Sequence, residues 1–143
     1  ASWSPSSISY TGNNRTHMIR IPDPGRFELR LMDGSANPYL LQASVLAAGL
    51  DGLKNKIDPG KPLNCNMYED HEKYPDLPKL PDELDQSLEK LKNNKDMNES
   101  FGKETINSYI KLRTLEIKEF KQKESFDKTK AITRWERDNT LDC

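Results

Sequence analysis

Between His17 and Met32 apolar and polar residues alternate along the chain. Ile19 and Ile21, then Phe27, Leu29 and Leu31, alternate with Met18 and Arg20, then Arg26, Glu28 and Arg30. A period of two places one set on each face of extended backbone. Pro22-Asp23-Pro24-Gly25 interrupts the alternation with turn-forming residues, so the segment predicts a β-hairpin. If the apolar residues of both strands share a face, Ile21 faces Phe27, Ile19 faces Leu29 and Arg20 faces Glu28. That register requires an odd-numbered loop with Gly25 in the left-handed region, because a two-residue turn would set Ile21 against Glu28.

The pattern then changes to helical spacing. Tyr39, Ala43, Leu46, Leu50, Leu53 and Ile57 recur four and three residues apart and form one apolar stripe, widened by Leu40, Ala47 and Ala48. Ser35 or Asn37 can cap this helix, Pro38 suits its first turn, and Asp58-Pro59-Gly60 stops it. Core packing is the expected role of the stripe, with Ala47-Ala48-Gly49 allowing another backbone to approach. Five prolines and little periodicity mark 59–81 as a long loop, of the kind that is functional or lies against another subunit. A second helix begins near Asp82 with Leu84, Leu88 and Leu91 on one face and ends at Asn93-Asn94. A third starts between Ser100 and Lys103, carries Ile106, Tyr109, Ile110, Arg113, Ile117 and Phe120, and runs on toward Phe126, Ile132 and Trp135. Residues 1–16 are polar, anchored by Trp3, Ile8 and Tyr10, and their abrupt opening suggests a piece of a longer protein. The expected fold class is α+β: a small antiparallel β-ribbon within 1–35, followed by three or four α-helices within 36–143.

Composition narrows the functional classes. The 143 residues carry 22 basic and 23 acidic side chains, a net charge of −1 that favours neither nucleic acid nor an anionic membrane. Lysines and glutamates are interleaved in the second half, as on a solvated helix face. No stretch approaches the 18 or so apolar residues of a membrane span, and no signal-peptide pattern opens the chain. Cys65 and Cys143 read as free thiols of a cytoplasmic protein. Two histidines and no Cys-x-x-Cys leave little material for a zinc site.

The ribbon holds the candidate chemistry. Arg20, Arg26, Glu28 and Arg30 crowd one of its faces. Composition alone allows a solvated outer face, where such pairs are worth less than about 1 kcal/mol. Three arginines around one carboxylate also suit a site for phosphates, carboxylates and a metal ion.

The segment Asn14-Arg15-Thr16-His17-Met18-Ile19-Arg20-Ile21-Pro22 resembles the Asn-Arg-Ser-x-x-x-Arg-Ile-Pro pattern of the glutamine synthetase family. Arg26-Phe27-Glu28-Leu29-Arg30 resembles that family's Arg-x-Glu-x-Arg strand. Asn37-Pro38-Tyr39-Leu40 and Ala48-Gly49-Leu50-Asp51-Gly52-Leu53-Lys54-Asn55-Lys56-Ile57 are similar to the helix that follows, with weaker similarity at Asn66-Met67-Tyr68 and Ser108-Tyr109-Ile110-Lys111-Leu112-Arg113. The resemblance implies the carboxy-terminal part of a catalytic domain that joins glutamate and ammonia at the expense of ATP, through γ-glutamyl phosphate. By that resemblance Arg15 reaches the transferring phosphate and the glutamate side. Arg20 holds nucleotide phosphate with help from Arg26, Glu28 ligates a divalent cation (Mg²⁺ or Mn²⁺), and Arg30 binds glutamate. The family also implies a ring-shaped homo-oligomer.

This sequence departs from the family pattern in several places. Bacterial members often have a longer loop between the two strands, with a basic nucleotide contact, where this chain has only Asp23-Pro24-Gly25. Tyr68 takes the place of a tyrosine that some bacterial enzymes adenylylate, but Met67-Tyr68-Glu69-Asp70 differs from the usual surroundings, and an ordinary loop tyrosine is the expectation. Gly12-Asn13-Asn14-Arg15-Thr16-His17 and the ending Arg134-Trp135-Glu136-Arg137 point toward the branch that includes γ-glutamylmethylamide synthetases, so methylamine is an alternative acceptor. The family's other metal-binding residues and its glycine-rich segment belong upstream of the matching residues, so this chain alone is expected to be inactive. His17 falls on the apolar face of the ribbon and is expected to be a packed or surface histidine, not a metal ligand. A non-catalytic binding module on the same scaffold is the competing class.

Overall fold

A computed structural model describes residues 4–123 and 132–140. Trp3, Phe126 and Cys143, named above, lie outside the described residues. Contacts divide the chain into two units, Ala1–Asp33 with Ile57–Asp82, and Gly34–Lys56 with Glu83–Cys143.

In the first unit, β1 (Tyr10–Thr11) runs parallel to β2 (Ile19–Asp23), and β3 (Arg26–Leu29) pairs with β2 antiparallel, giving the order β1-β2-β3. Ile19 opposes Leu29 and Arg20 opposes Glu28, as the alternation requires. The turn differs from expectation. Asp23 pairs with Arg26 around a two-residue Pro24-Gly25 tip, and the expected Ile21–Phe27 pair is absent from the ladder. A register shift between Arg20 and Asp23 absorbs the extra residue. It falls where Pro22 has no N–H to give the ladder, so pairing is lost there at little cost. Gly25 does take the left-handed conformation expected of it, at φ 78°.

The proline-rich segment is ordered by main-chain bonds within its own unit. Ile8 N donates to the Pro78 carbonyl at 2.9 Å, Leu80 N to Ser6 O at 3.0 Å and Leu63 N to Tyr10 O at 3.0 Å. Tyr10 Oη donates to Gly60 O at 2.7 Å. The segment also contains a short helix that the sequence did not announce, α2 (Met67–Asp70), whose first turn is capped by Asn66 Oδ1 accepting from Tyr68 N at 3.1 Å.

Burial in this unit is mostly polar. His17 is fully buried, with Ser7, Ser9, Thr11 and Met67 also buried. His17 Nδ1 lies 3.0 Å from Ser9 Oγ and Nε2 lies 3.0 Å from the Cys65 carbonyl. A carbonyl only accepts, so Nε2 donates to it, and the Ser9 hydroxyl, which can donate or accept, partners Nδ1. Both ring nitrogens are thus satisfied inside the protein, so of the packed and surface positions open to His17 the fold takes the packed one.

In the second unit α1 (Pro38–Lys54) is capped by Asn37 Oδ1, which accepts from Tyr39 N and Leu40 N at 3.1 Å each. It ends at Asn55, before the expected stop at Asp58-Pro59-Gly60. The expected core packing of its stripe is not found. No α1 residue is buried, and Tyr39, Leu46, Leu50 and Leu53 are between 65% and 82% exposed. Four further helices follow: α3 (Leu84–Asn93), α4 (Lys95–Phe101), α5 (Lys103–Lys123) and α6 (Arg134–Thr140). Asn94 stops α3 and caps α4, accepting from Met97 N at 2.9 Å, and Gly102 at φ 79° separates α4 from α5. Contacts run between α3 and α5, α1 and α4, and α4 and α5, and the buried apolar residues here are Leu88 of α3 and Ile106 of α5. The described part of α5 ends at Lys123, and Trp135 lies on a separate helix, meeting Phe120 edge-to-face at 5.6 Å.

The α+β class therefore stands, with a third strand and six α-helices among the described residues instead of three or four. No helix among them is long and apolar enough to cross a membrane.

Replacing His17 by Ala removes two internal hydrogen bonds and leaves a cavity, and it should lower stability by about 2 kcal/mol or more. Ser9→Ala should cost roughly 1 kcal/mol. Urea denaturation of the two variants checks both, and an unchanged midpoint for His17→Ala would contradict this account of the unit.

Candidate active-site ribbon

Cross-strand pairing places Arg20 of β2 opposite Glu28 of β3, and a two-residue step brings Arg30 onto the same face. Arg20 Nη1 donates to Glu28 Oε2 at 2.7 Å, and Arg30 Nε lies 3.4 Å from Glu28 Oε1. One carboxylate is thus shared by two guanidinium groups. The arginine side chains are 12% and 16% exposed and the glutamate 35%, so this is more sheltered than a free surface pair.

Arg15 approaches from the loop before β2. That loop is fixed on both sides of it: Asn14 Nδ2 donates to Cys65 O at 2.9 Å, and Met67 N donates to Thr16 Oγ1 at 3.0 Å. Asn14 Oδ1 also accepts from Thr16 N and Thr16 Oγ1, each at 2.9 Å, and Tyr68 Oη donates to the Arg15 carbonyl at 3.4 Å. The Arg15 side chain is exposed, and its positive charge is felt at Glu28.

Of the anticipated site residues, the fold gathers Arg15, Arg20, Glu28 and Arg30. Arg26 stands apart at the turn, paired through its backbone with Asp23, and among the described residues it makes no ion pair. Tyr68 sits on α2 behind Arg15. Asn13, which the sequence did not single out, touches Arg20: its Oδ1 accepts from Arg20 Nε at 2.9 Å and also from Nη2. The two lie seven positions apart across loop and strand, and no local periodicity signals that contact.

The hydrogen bond from Arg20 holds the Glu28 carboxyl below the usual glutamate range, aided by the charges of Arg20, Arg15 and Arg30 and opposed by partial burial. The group is therefore an anion across the physiological range. A carboxylate oxygen is a suitable donor for a hard divalent cation, and Glu28 keeps lone pairs beyond those its arginines occupy. Among the described residues no group of three or more His, Cys, Asp or Glu side chains could hold a metal ion.

Residues 1–139 match the family model for the catalytic domain of glutamine synthetase. The chain belongs to the glutamine synthetase catalytic-domain family. It is 46% identical to the glutamine synthetase of Rhizobium meliloti over 142 residues, 99% of this chain and 31% of that protein. Identity to the glutamate–methylamine ligase of Methyloversatilis universalis is 41% over 123 residues, 84% of this chain and 27% of that protein. A solved structure described as a GmaS/ADP complex superposes with a TM-score of 0.80 at 42% identity, covering 99% of this chain and 30% of the other. Apo GmaS gives 0.78 at 41% identity, covering 98% and 31%. The chain thus spans under a third of the length of these relatives from the glutamine synthetase family.

Because the folded-state pKa of Glu28 is depressed, its stabilising effect is present above the unfolded-state glutamate pKa and is lost as pH falls through the lower folded value. A carbon-detected titration of side-chain carboxyls should place the Glu28 midpoint below that of an ordinary glutamate, and Arg20→Ala should move it upward. A Glu28 midpoint unmoved by that substitution would contradict the assigned cause.

Proposed function

We propose that the intact protein containing this chain is an ATP-dependent carbon–nitrogen ligase that amidates glutamate through γ-glutamyl phosphate, with this chain forming the carboxy-terminal part of the catalytic domain. The observation that carries the reading is Glu28 held between Arg20 and Arg30 on one ribbon face, with the charge of Arg15 close by.

Phosphoryl transfer asks for alignment and charge neutralisation more than for covalent help. Arginine forks supply both, since a guanidinium presents several fixed N–H donors to phosphate or carboxylate oxygens. In this reading Arg20 grips nucleotide phosphate with Arg26 assisting at the rim. Arg15 neutralises charge that develops on the transferred group and on the glutamate side chain, and Arg30 orients the glutamate substrate. Glu28 serves as one oxygen ligand of a Mg²⁺ or Mn²⁺ ion, which when bound would neutralise phosphate charge. The remaining ligands come from elsewhere in the assembled enzyme, a ring in this reading. Tyr68 serves as support for the Arg15 loop, and its adenylylation is not part of the proposal.

Ammonia is the proposed acceptor. Methylamine is the second reading, favoured by similarity to a glutamate–methylamine ligase and to the GmaS structures. The test uses the complete ligase containing this segment, with ATP, Mg²⁺ and glutamate, and with ammonia and methylamine compared at equal concentration. The expected result is ATP-dependent amide formation with ammonia preferred; a preference for methylamine selects the second reading, and no amide with either overturns both. Glu28→Gln should lower kcat about 100-fold or more in that enzyme. The 143-residue chain on its own should show no activity above background.

A further inference from the structure

The mechanism above needs Arg20 in a fixed place, yet Glu28 alone does not fix it. A single bond from Nη1 to a partly exposed carboxylate leaves the guanidinium free to pivot about that contact. A flexible arginine side chain loses affinity for an anion through the rotamer freedom it must give up. The structure shows a second anchor. Asn13 Oδ1 accepts from Nε and from Nη2, so one edge of the guanidinium is clasped by a neutral amide while Nη1 reaches Glu28.

We propose that Asn13 is a positioning residue for Arg20, fixing the plane of its guanidinium so that the free donors face an incoming phosphate. This rests on the reading of Arg20 as a phosphate contact.

The choice of an amide has a chemical reason. Three of the five donors that a guanidinium carries are engaged by Asn13 and Glu28, which leaves two for an anion. An acidic residue at position 13 would grip the guanidinium more tightly, but it would also add negative charge beside the phosphates and weaken their binding. A neutral acceptor restrains the arginine without discharging it. Asn13 sits in the loop between β1 and β2, and the loop is tied down immediately after it by Asn14 on Cys65 O and by Thr16 on Met67 N. The anchor is therefore itself anchored. Within this ribbon the short Asp23-Pro24-Gly25 connection contains no basic residue, so nucleotide phosphate contact there falls on Arg20 and Arg26.

The test separates positioning from binding. Side-chain ¹H–¹⁵N spectra of the complete ligase, labelled with ¹⁵N-arginine, report the Arg20 Nε–H directly. In the parent chain this proton should be resolved and protected from solvent exchange. Asn13→Ala should accelerate its exchange by about tenfold, the loss expected for one such hydrogen bond. The Arg30 Nε–H should be unaffected, and Asn13→Asp, which keeps the acceptor oxygen, should retain the protection. Equal protection of Arg20 in the parent chain and in Asn13→Ala overturns the proposal, as does loss of protection in Asn13→Asp with an otherwise unchanged backbone spectrum. Position 13 is exposed, and the backbone spectrum verifies that each variant is folded.

A second arm uses the complete ligase and MgADP, measured by calorimetry. Asn13→Ala should weaken binding about tenfold, and Asn13→Asp should also weaken it despite holding the arginine, because of its charge. If Arg20→Ala leaves MgADP affinity unchanged while the exchange result stands, the phosphate role of Arg20 fails and the positioning role of Asn13 survives. If Arg20→Ala weakens binding and Asn13→Ala does not, the positioning proposal fails and the phosphate role survives.

Discussion

The interaction on which this structure turns is the cross-strand pairing of Arg20 with Glu28. It is a consequence of register, and register is a consequence of where the apolar residues lie. Ile19 and Leu29 must share a face, and once they do the neighbouring positions present a cation and an anion to one another. Arg30 joins two residues later by the same alternation. A slip of one residue would turn the glutamate to the opposite face and leave the arginines without it. The site is thus specified by the same pattern that builds the strand pair, and the shift at Pro22 protects it by absorbing the misfit of the tight Pro24-Gly25 tip before it can reach Arg20.

That explains how much of the molecule was legible in advance. The Arg20–Glu28 pairing, the left-handed Gly25, the Asn37 cap and the start of α5 all follow from short-range rules, in which spacing or a side chain acts on backbone a few residues away. The two-residue turn does not follow from facing residues, because facing pairs fix a turn only in an unbroken ladder, and a proline in the strand breaks it. Asn13 and the bonds of residues 6–10 to the 57–82 segment are illegible in the sequence for a different reason. They join residues far apart in sequence or across irregular loop, where no period exists to be read. The short helices α2 and α4 were hidden by length, since one or two turns carry too few apolar positions to show a stripe.

The stripe of α1 teaches a further distinction. Its spacing correctly predicts a helix with one apolar side, but Leu46, Leu50 and Leu53 remain well exposed. Covering one such side chain is worth about 1.5–3 kcal/mol, so several together are comparable to the whole stability of an ordinary domain. Periodicity reports that a face is built to be covered. It does not report what lies opposite. For a chain that spans under a third of its relatives, the surface complementary to a helix need not be encoded in the same residues.

The first unit meets the opposite circumstance, and this bears on how a site of charged groups keeps its shape. Its buried residues are mostly polar, centred on His17, and the loop carrying Arg15 is held by amide, hydroxyl and carbonyl contacts rather than by apolar packing. Hydrogen bonds stabilise modestly on average, but they are directional, and a buried polar group left without its partner is costly. Such a network tolerates few alternative arrangements. Even for a sheltered ion pair, attraction between charges is weakly directional, so it alone does not set the plane of the Arg20 guanidinium beside Glu28. The directionality has to come from neutral groups around them: the Asn13 oxygen on one edge of the guanidinium, and the Asn14–Cys65 and Thr16–Met67 bonds that fix the loop beneath. Neutral hydrogen bonds thus supply directionality that the charges of this face lack.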